Sequence, residues 1–457
     1  MSASTPSSDP RLGSLGIDAV LATPPLPNLV AEWAAILPLV CHLASHRDDY
    51  VTTGDVALQG RLSIGLFPRL GTLSGLSRLL ARGTKFLDYA STKGDSSQIV
   101  WDVEWGSSFP CANGAASTAI SKTLLSRATS GATFLMPETL PSQANKGSLG
   151  SERTVGQLSI ASTSSSKSCH TRGARRPQEG AVRRFQVLNV YQLYRKTAAE
   201  PPSPPPRQNS PRLWLSRAGQ AMWLISLTGF LVFLVLFGAY GSAALISCTL
   251  ISQMVARTVR IHRPAGYLRN NEAHDACMLV AAHENATEWH LYIGERAIAD
   301  TLLNKPMFAV AEGKLIDLAA SWFWFAHLLQ FLAMTFVTAQ KGWDGVMLLV
   351  ILAVHRGFRW LMGGSSGLAA GWLDGEGVGA RVQSFEFGSR YAMMGAIQVF
   401  SKSRVTCWMD RILVPHPRRE AWLRRLRGED VAEVLDAHDQ KWLDFASEAS
   451  IASANIL

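Results

Sequence analysis

Apolar positions are spread unevenly along the chain, and the longest uncharged run lies in its second half. Between Arg217 and Arg257 there are 39 residues without a charge. One straight helix of that length would measure about 58 Å, nearly twice the roughly 30 Å of a bilayer's hydrocarbon core. Gly238, Tyr240 and Gly241 fall near its middle, where a chain can turn. The run predicts a helical hairpin with arms at 218–237 and 241–256. The second arm is short and carries Ser247, Thr249, Ser252 and Gln253, so a single span followed by a surface helix competes with it. A second clean stretch covers 318–340, with Trp322 and Trp324 near one end in the manner of interfacial anchors. After KGWDG, the segment 346–361 reaches spanning length, and Arg356 and Arg359 at its end can extend their stems to the headgroups. This predicts a second hairpin.

The first half is patterned more weakly. Residues 26–46 are apolar but contain Glu32 and Pro38, which fits a buried or interfacial helix better than a clean span. Leu66, Leu70, Leu73, Leu80 and Leu87 recur at helical steps, while Arg78, Arg82 and Lys85 fall on another face. That predicts a helix lying on a membrane surface with its basic heads toward phosphates, or a solvated basic face on a core helix. From 92 to 210 Ser, Thr, Gly and Ala dominate, so little core is expected. FQVLNVYQLY at 185–194 is strand-like, and PPSPPP at 201–206 is a stiff spacer.

Between the hairpins the period changes. ACMLVAA (276–282) and WHLYI (289–293) read as two strands joined by HENATE, with Trp289, Leu291 and Ile293 on one face. Residues 295–304 read as a helix ended near Pro306. A lone strand pair is marginal in water, so it is expected to pack on that helix or to pair with VQSFEF at 382–387 or with FQVLNVY. The resulting division is 1–91 apolar and amphipathic helices, 92–216 a largely disordered basic linker, 217–257 the first hairpin, 258–316 a small cytosolic α/β segment, 317–362 the second hairpin, and 363–457 a Gly-rich loop and helical tail. The fold class expected is a mainly α-helical membrane protein on two transmembrane hairpins, with disordered N-terminal regions.

Charge then places the chain. Charged residues are 17% of the total, below the usual quarter, and the formal net charge is +9. Basic residues flank the uncharged runs: Arg212 and Arg217 before the first, Arg257, Arg260, His262 and Arg263 after it, Lys314 before the second, and Arg356 and Arg359 at its end. Basic flanks favour the cytosolic side, so both hairpins leave and return there and most of the chain is cytosolic. An anionic leaflet is the expected partner, and no nucleic-acid motif is present. Neither MSASTPSSDPR nor ASANIL reads as a targeting signal, so internal segments are expected to carry insertion.

Few residues offer chemistry. His327 lies within the second apolar run, and an ionisable group there is either functional or bonded to the backbone. His274, Asp275, His283 and Glu284 form a polar group around the two strands, but HENATEWH is not the helical HExxH pattern, so no metal or cofactor is expected. The glycines at 375, 377 and 379 lack a phosphate-loop context. In the tail, Arg418, Arg419, Arg424 and Arg425 interleave with Trp422 and Leu423, and an acidic helical pattern follows through Trp442 and Phe445. Those arginines suit an anionic leaflet, a docked partner, or an internal pair of oppositely charged helices.

The strings NNEAHDACMLVAAHENATEWHLYIGERAIADTLLNKPM and WMDRILVPHPRREAWLRRL, with paired spans between them, resemble uncharacterised multipass integral membrane proteins of filamentous fungi, over roughly 210–430. The resemblance implies membrane location and no assigned activity. The leading expectation is a non-enzymatic membrane anchor or scaffold that recruits partners through its C-terminal helices. A small transporter or channel subunit using His327 is the alternative. An enzyme using the 274–290 polar group is the third reading.

Overall fold

The structure is a computed structural model, and it describes residues 24–128, 133–135, 185–196, 211–270, 272, 274–340, 342–361, 363–429 and 436–457. The described chain opens with α1 (Asn28–Ala44), α2 (Asp49–Gln59), α3 (Thr72–Arg82) and α4 (Thr84–Ser91). It continues through β1 (Ile99–Asp102), β2 (Ser108–Pro110), α5 (Gly114–Arg127), β3 (Thr133–Leu135) and β4 (Gln186–Arg195). The first long uncharged run forms α6 (Pro211–Leu236) and α7 (Tyr240–Thr258), separated at Gly238, whose φ of 80° suits glycine. Next come β5 (Ile261–His262), β6 (Ala276–Ala281), β7 (Glu288–Gly294), α8 (Arg296–Leu303) and β8 (Ala309–Val310). The second run forms α9 (Lys314–Gln340) and α10 (Trp343–Leu361). The chain then follows α11 (Gly364–Gly375), β9 (Val378–Phe387), α12 (Arg390–Ser401), α13 (Pro417–Leu426) and α14 (Ala437–Ala454).

Two helical stretches are long and apolar enough to cross a membrane, Lys314–Gln340 and Trp343–Gly375, the latter running through α10 and α11. Helices α1 and α2 meet that test only together, across a 75° bend, and Ala221–Leu236 of α6 is apolar but shorter. Large apolar side chains stand exposed on α1 (Leu29, Trp33, Ile36, Val40), α6 (Met222, Ile225, Val232), α9 (Leu318, Trp324, Leu332) and α10 (Val350, Val354, Phe358). A soluble monomer rarely exposes an apolar surface of this extent. The inward faces are small: Ala31, Ala34 and Ala35 of α1 are buried, and a Cβ on Gly345 would lie 2.2 Å from the Ala34 carbonyl oxygen. Small residues let helix backbones approach closely where solvent supplies no hydrophobic drive.

The remaining elements form three layers around a mixed sheet. Among the described residues it has seven strands, in the order β2-β1-β6-β7-β4-β9-β3. β4 lies inside the sheet, parallel to β7 and antiparallel to β9. Alternation sorts the side chains. Val100, Met278, Val280 and Tyr292 face a layer containing α5 and α8, whose core continues into Phe323 and Ala326 of α9. Trp101, Leu279, Trp289, Leu291 and Phe385 face α12, α13 and α14. The sheet thus lies between the C-terminal helices and the layer that docks on the long helices.

Several expectations change at this level. The strand pair at 276–293 forms as expected but belongs to a larger sheet, because both its edges find partners: β1 on β6, and β4 on β7. FQVLNVY is that partner, whereas VQSFEF pairs with β4 instead. The Ser/Thr-rich segment expected to be largely disordered supplies β1, β2, α5 and β3 as well as the strand-like β4. In α5 the residues Ala116, Ile120 and Leu124 recur every four positions and are buried, since a sheet face is there to receive them. Residues 136–184 and the spacer at 201–206 lie outside the described residues. The helix expected near 66–89 starts only at Thr72 and breaks at Gly83, where φ is 54°.

Candidate functional site

Gly60 and Gly71, with φ of 64° and 87°, end α2 and open α3. Between them, residues 61–70 have no regular structure, yet Leu62, Ile64, Phe67 and Pro68 are buried. Phe67 is 1% exposed and packs in a core made by α6, α7, α9 and α10. An irregular backbone among apolar helices must have its polar groups satisfied by protein, since each orphan there costs several kcal/mol. Three side chains do this. Gln253 Nε2 of α7 donates to the Ile64 carbonyl at 3.3 Å, and Gln330 Nε2 of α9 donates to the Pro68 carbonyl at 2.6 Å. The Phe67 N–H donates to His355 Nδ1 of α10 at 3.3 Å. Gln330 is 16 residues into α9, about 24 Å along it and about 15 Å from its other end. The segment therefore enters deep between the long helices. Gly65 passes so close to His355 that a Cβ would meet its Cε1 at 2.7 Å.

Two more histidines border this insertion. His42 of α1 is fully buried, its ring edge-on to Phe67 at 5.5 Å, and neither ring nitrogen has a hydrogen-bond partner. His327 is half-buried on α9 near His42, and its Nδ1 also lacks a partner. Sequence reasoning singled out His327 but missed His42, His355, Gln253 and Gln330 as a group. Their common feature, a polar side chain within an apolar run, was visible; their convergence on one distant loop was not.

Beside the inserted segment is a cavity of about 610 Å³. Arg47, Arg61, Arg69 and Arg359 line it, and Asp55 is the one carboxylate among the lining residues. Arg47 is paired with Asp55. Among the described residues no carboxylate pairs with Arg61, Arg69 or Arg359. Its apolar lining is formed by Trp223, Val354, Phe358 and Leu368. A second cavity of about 400 Å³ also borders Trp223 and Gln253 and adds Arg257.

At the end of the long helices away from this cavity, the two turns are locked together. Asp344, buried in the first turn of α10, accepts hydrogen bonds from the Gly241 N–H at 2.6 Å and the Ser242 N–H at 2.8 Å. Ser242 Oγ donates back to the Asp344 carbonyl at 3.0 Å. A carboxylate thus caps α7 from a neighbouring helix, where free N–H groups and the helix dipole favour negative charge. Trp343 packs edge-on to Phe237 and donates its indole N–H to the Pro24 carbonyl at 2.7 Å. The start of α1 therefore lies beside both turns.

The other sequence candidates are dispersed. His274 and Asp275 precede β6, whereas His283 and Glu284 follow it, about 20 Å apart for a six-residue strand. Among the described residues no group of three or more His, Cys, Asp or Glu is placed to hold a metal. His274 and Asp275 border instead a buried ion cluster. Arg296 contacts Asp102 at 2.6 Å, Glu272 at 2.6 Å and Glu104 at 3.2 Å, and lies over the Trp105 ring. Burial opposes its charge, but Asp102, Asp300 and Glu272 outweigh burial and raise the guanidinium above its usual value. The cluster is held by ion pairs, although Arg296 Nε and Asp300 Oδ1 are buried without a hydrogen-bond partner.

The basic candidates divide similarly. Arg78 pairs with Asp49 at 2.6 Å, and Arg82 and Lys85 are exposed. In the tail Arg419 is buried, held by Asp410 at 2.6 Å and the Thr406 carbonyl, so it is not available to a leaflet. Arg418 lies 3.9 Å over the Trp442 ring and 3.3 Å from Asp439, and Arg425 is 3.5 Å from Asp444. Arg424 is exposed. These contacts match the internal pairing of a basic helix with an acidic one. No protein-family model, no curated protein and no solved structure matches the chain.

Proposed function

We propose that the protein is a multipass integral membrane protein that works as a non-enzymatic scaffold, presenting its three-layer α/β body to the cytosol. The observation that carries this reading is the make-up of the sheet. β4 precedes α6, β6 and β7 lie between α7 and α9, and β9 follows α10, yet all are hydrogen-bonded into one sheet. Shared strands of one sheet support placing those three chain segments on one side, with each pair of long helices leaving and returning as a hairpin. The exposed apolar side chains on the long helices give the hairpins a lipid-facing surface. The basic residues Arg257, Arg260, Arg356 and Arg359 flank the long helices on the sheet side, which supports a cytosolic reading of that end. Helix α1 then crosses once, beginning at the far side beside the two turns.

The scaffold reading is favoured over catalysis because the conspicuous polar groups of the α/β body are tied up in ion pairs. It is tested in native membranes. The protein is expected to remain in the pellet after alkaline carbonate washing. Cys407, exposed on the α/β body, is expected to react with an impermeant maleimide only after permeabilisation, in a chain whose other cysteines are replaced by serine. Asn285, in an exposed N-x-T sequence, is expected to stay bare. Release by carbonate would remove the membrane assignment, and a glycan on Asn285 would reverse the orientation.

A further inference from the structure

The cavity beside the inserted segment is not used by the scaffold reading, and its lining is of two kinds. Four guanidiniums and one carboxylate give a net of three positive charges. Trp223, Val354 and Phe358 add apolar lining, and their side chains are 42%, 55% and 54% exposed. Unpaired donors point to the same place. His355 Nδ1 accepts from the Phe67 N–H, so its proton is on Nε2, and that nitrogen is buried without a partner. Arg47 Nε and Thr72 Oγ1, also lining the cavity, are buried and unpartnered as well. Buried polar groups are nearly always hydrogen-bonded, whereas these three groups and the side-chain carbonyl oxygen of Gln59, which also lines the cavity, have no partner. Arg61 is exposed, but the half-buried and unpaired guanidiniums of Arg69 and Arg359 call for an anion.

We infer that this cavity binds one phosphate-bearing lipid, its headgroup among Arg61, Arg69 and Arg359 and its chain along Trp223, Val354 and Phe358. A phosphate monoester carries about 1.5–2 negative charges near neutral pH and several acceptor oxygens, which suits the net charge and the orphan donors. The apolar lining selects an amphiphile over a free ion. At about 610 Å³ the cavity falls within the roughly 300–1,000 Å³ of ligand pockets. The exposure of that lining lets a lipid enter from the bilayer, and in that respect the inference rests on the membrane assignment above.

The test uses the full-length chain in detergent, titrated with dihexanoyl phosphatidic acid while the melting midpoint is followed. Dihexanoyl phosphatidylcholine and inorganic phosphate are the comparison probes. Phosphatidic acid is expected to raise the midpoint at concentrations where the other two do not. The Arg69→Gln/Arg359→Gln variant is expected to bind it at least about tenfold more weakly, the loss of one charge-assisted hydrogen bond. Arg82→Gln, on the exposed face of α3, is expected to leave binding unchanged. If the double glutamine variant fails to fold, Arg359→Gln alone answers the question. An equal response to inorganic phosphate overturns the lipid assignment in favour of a free anion. No response, or a response unaffected by the arginine substitutions, overturns the site. Carbonate resistance measured on the same membranes distinguishes failure of the cavity from failure of the membrane assignment.

Discussion

Asp344 offers a direct way to measure what joins the two helical turns. Its carboxylate accepts two backbone N–H groups at 2.6 and 2.8 Å in a buried position. Hydrogen bonds to a charged group contribute about 1.5–3 kcal/mol each, and an orphaned buried donor costs about 1–3 kcal/mol. Asp344→Ala removes both acceptors and leaves the Gly241 and Ser242 N–H groups without partners. A destabilisation of about 3–5 kcal/mol follows. Asp344→Asn keeps one acceptor oxygen and turns an amide donor toward the other N–H, so it should lose roughly half as much. The assay is thermal unfolding followed with a thiol-reactive fluorophore in a background with Cys41, Cys169 and Cys407 replaced by serine, since Cys111, Cys248 and Cys277 are buried and react only on unfolding. Midpoints should rank parent, then Asn, then Ala. An alanine variant within about 1 kcal/mol of the parent, or equal losses for the two variants, would show that the carboxylate does not hold the turns together.

Two further outcomes are expected. Gln330→Leu leaves the Pro68 carbonyl unpaired deep between the long helices and should cost about 1–3 kcal/mol. It should also raise proteolysis at Arg61 or Arg69 while cleavage in the α/β body stays unchanged; equal protection in parent and variant would contradict the inserted geometry. His290 is held below its usual value by burial, against the opposing pull of Glu288, and its Nδ1 is 3.1 Å from the Tyr191 hydroxyl. A depressed folded value means the unfolded chain takes up the proton first, so stability is full above about pH 6.5 and falls as the pH drops. His290→Gln should flatten that acid limb in melting curves between pH 8 and 5; parallel curves would refute the assignment.

What could be read beforehand was local. The run at 318–340 is unbroken and became α9 nearly as bounded, and the turn placed near Gly238 is where α6 ends. Four strands were recognisable because β-branched and aromatic residues cluster at 185–194, 289–293 and 382–387, and because 276–282 is a short continuous apolar run ended by polar residues. Their assembly was not recognisable, because register across separations of about 100 to 200 residues leaves no short-range trace. The inserted segment was read as helix, since Leu66 and Leu70 fit that period; what holds it out of a helix is Gln253, Gln330 and His355, far away in the chain. Arg419 shows the same limit on a smaller scale. Nothing within its own helix announces burial, which comes from Asp410, nine residues upstream.

The position of β4 inside the sheet also sets an order on biosynthesis. This strand leaves the ribosome before either pair of long helices, while β9, which pairs along its whole length, follows both. At about 5–20 residues per second the 183 residues from Arg195 to Val378 take about 10–40 s to translate. Throughout that interval a ten-residue strand carrying Val187, Leu188, Val190, Tyr191 and Leu193 waits with an open edge, the kind that invites pairing with another chain. Completion of the sheet is thereby tied to completion of the long apolar helices, and a nascent chain stalled before Val378 would be a substrate for chaperones rather than a smaller working protein.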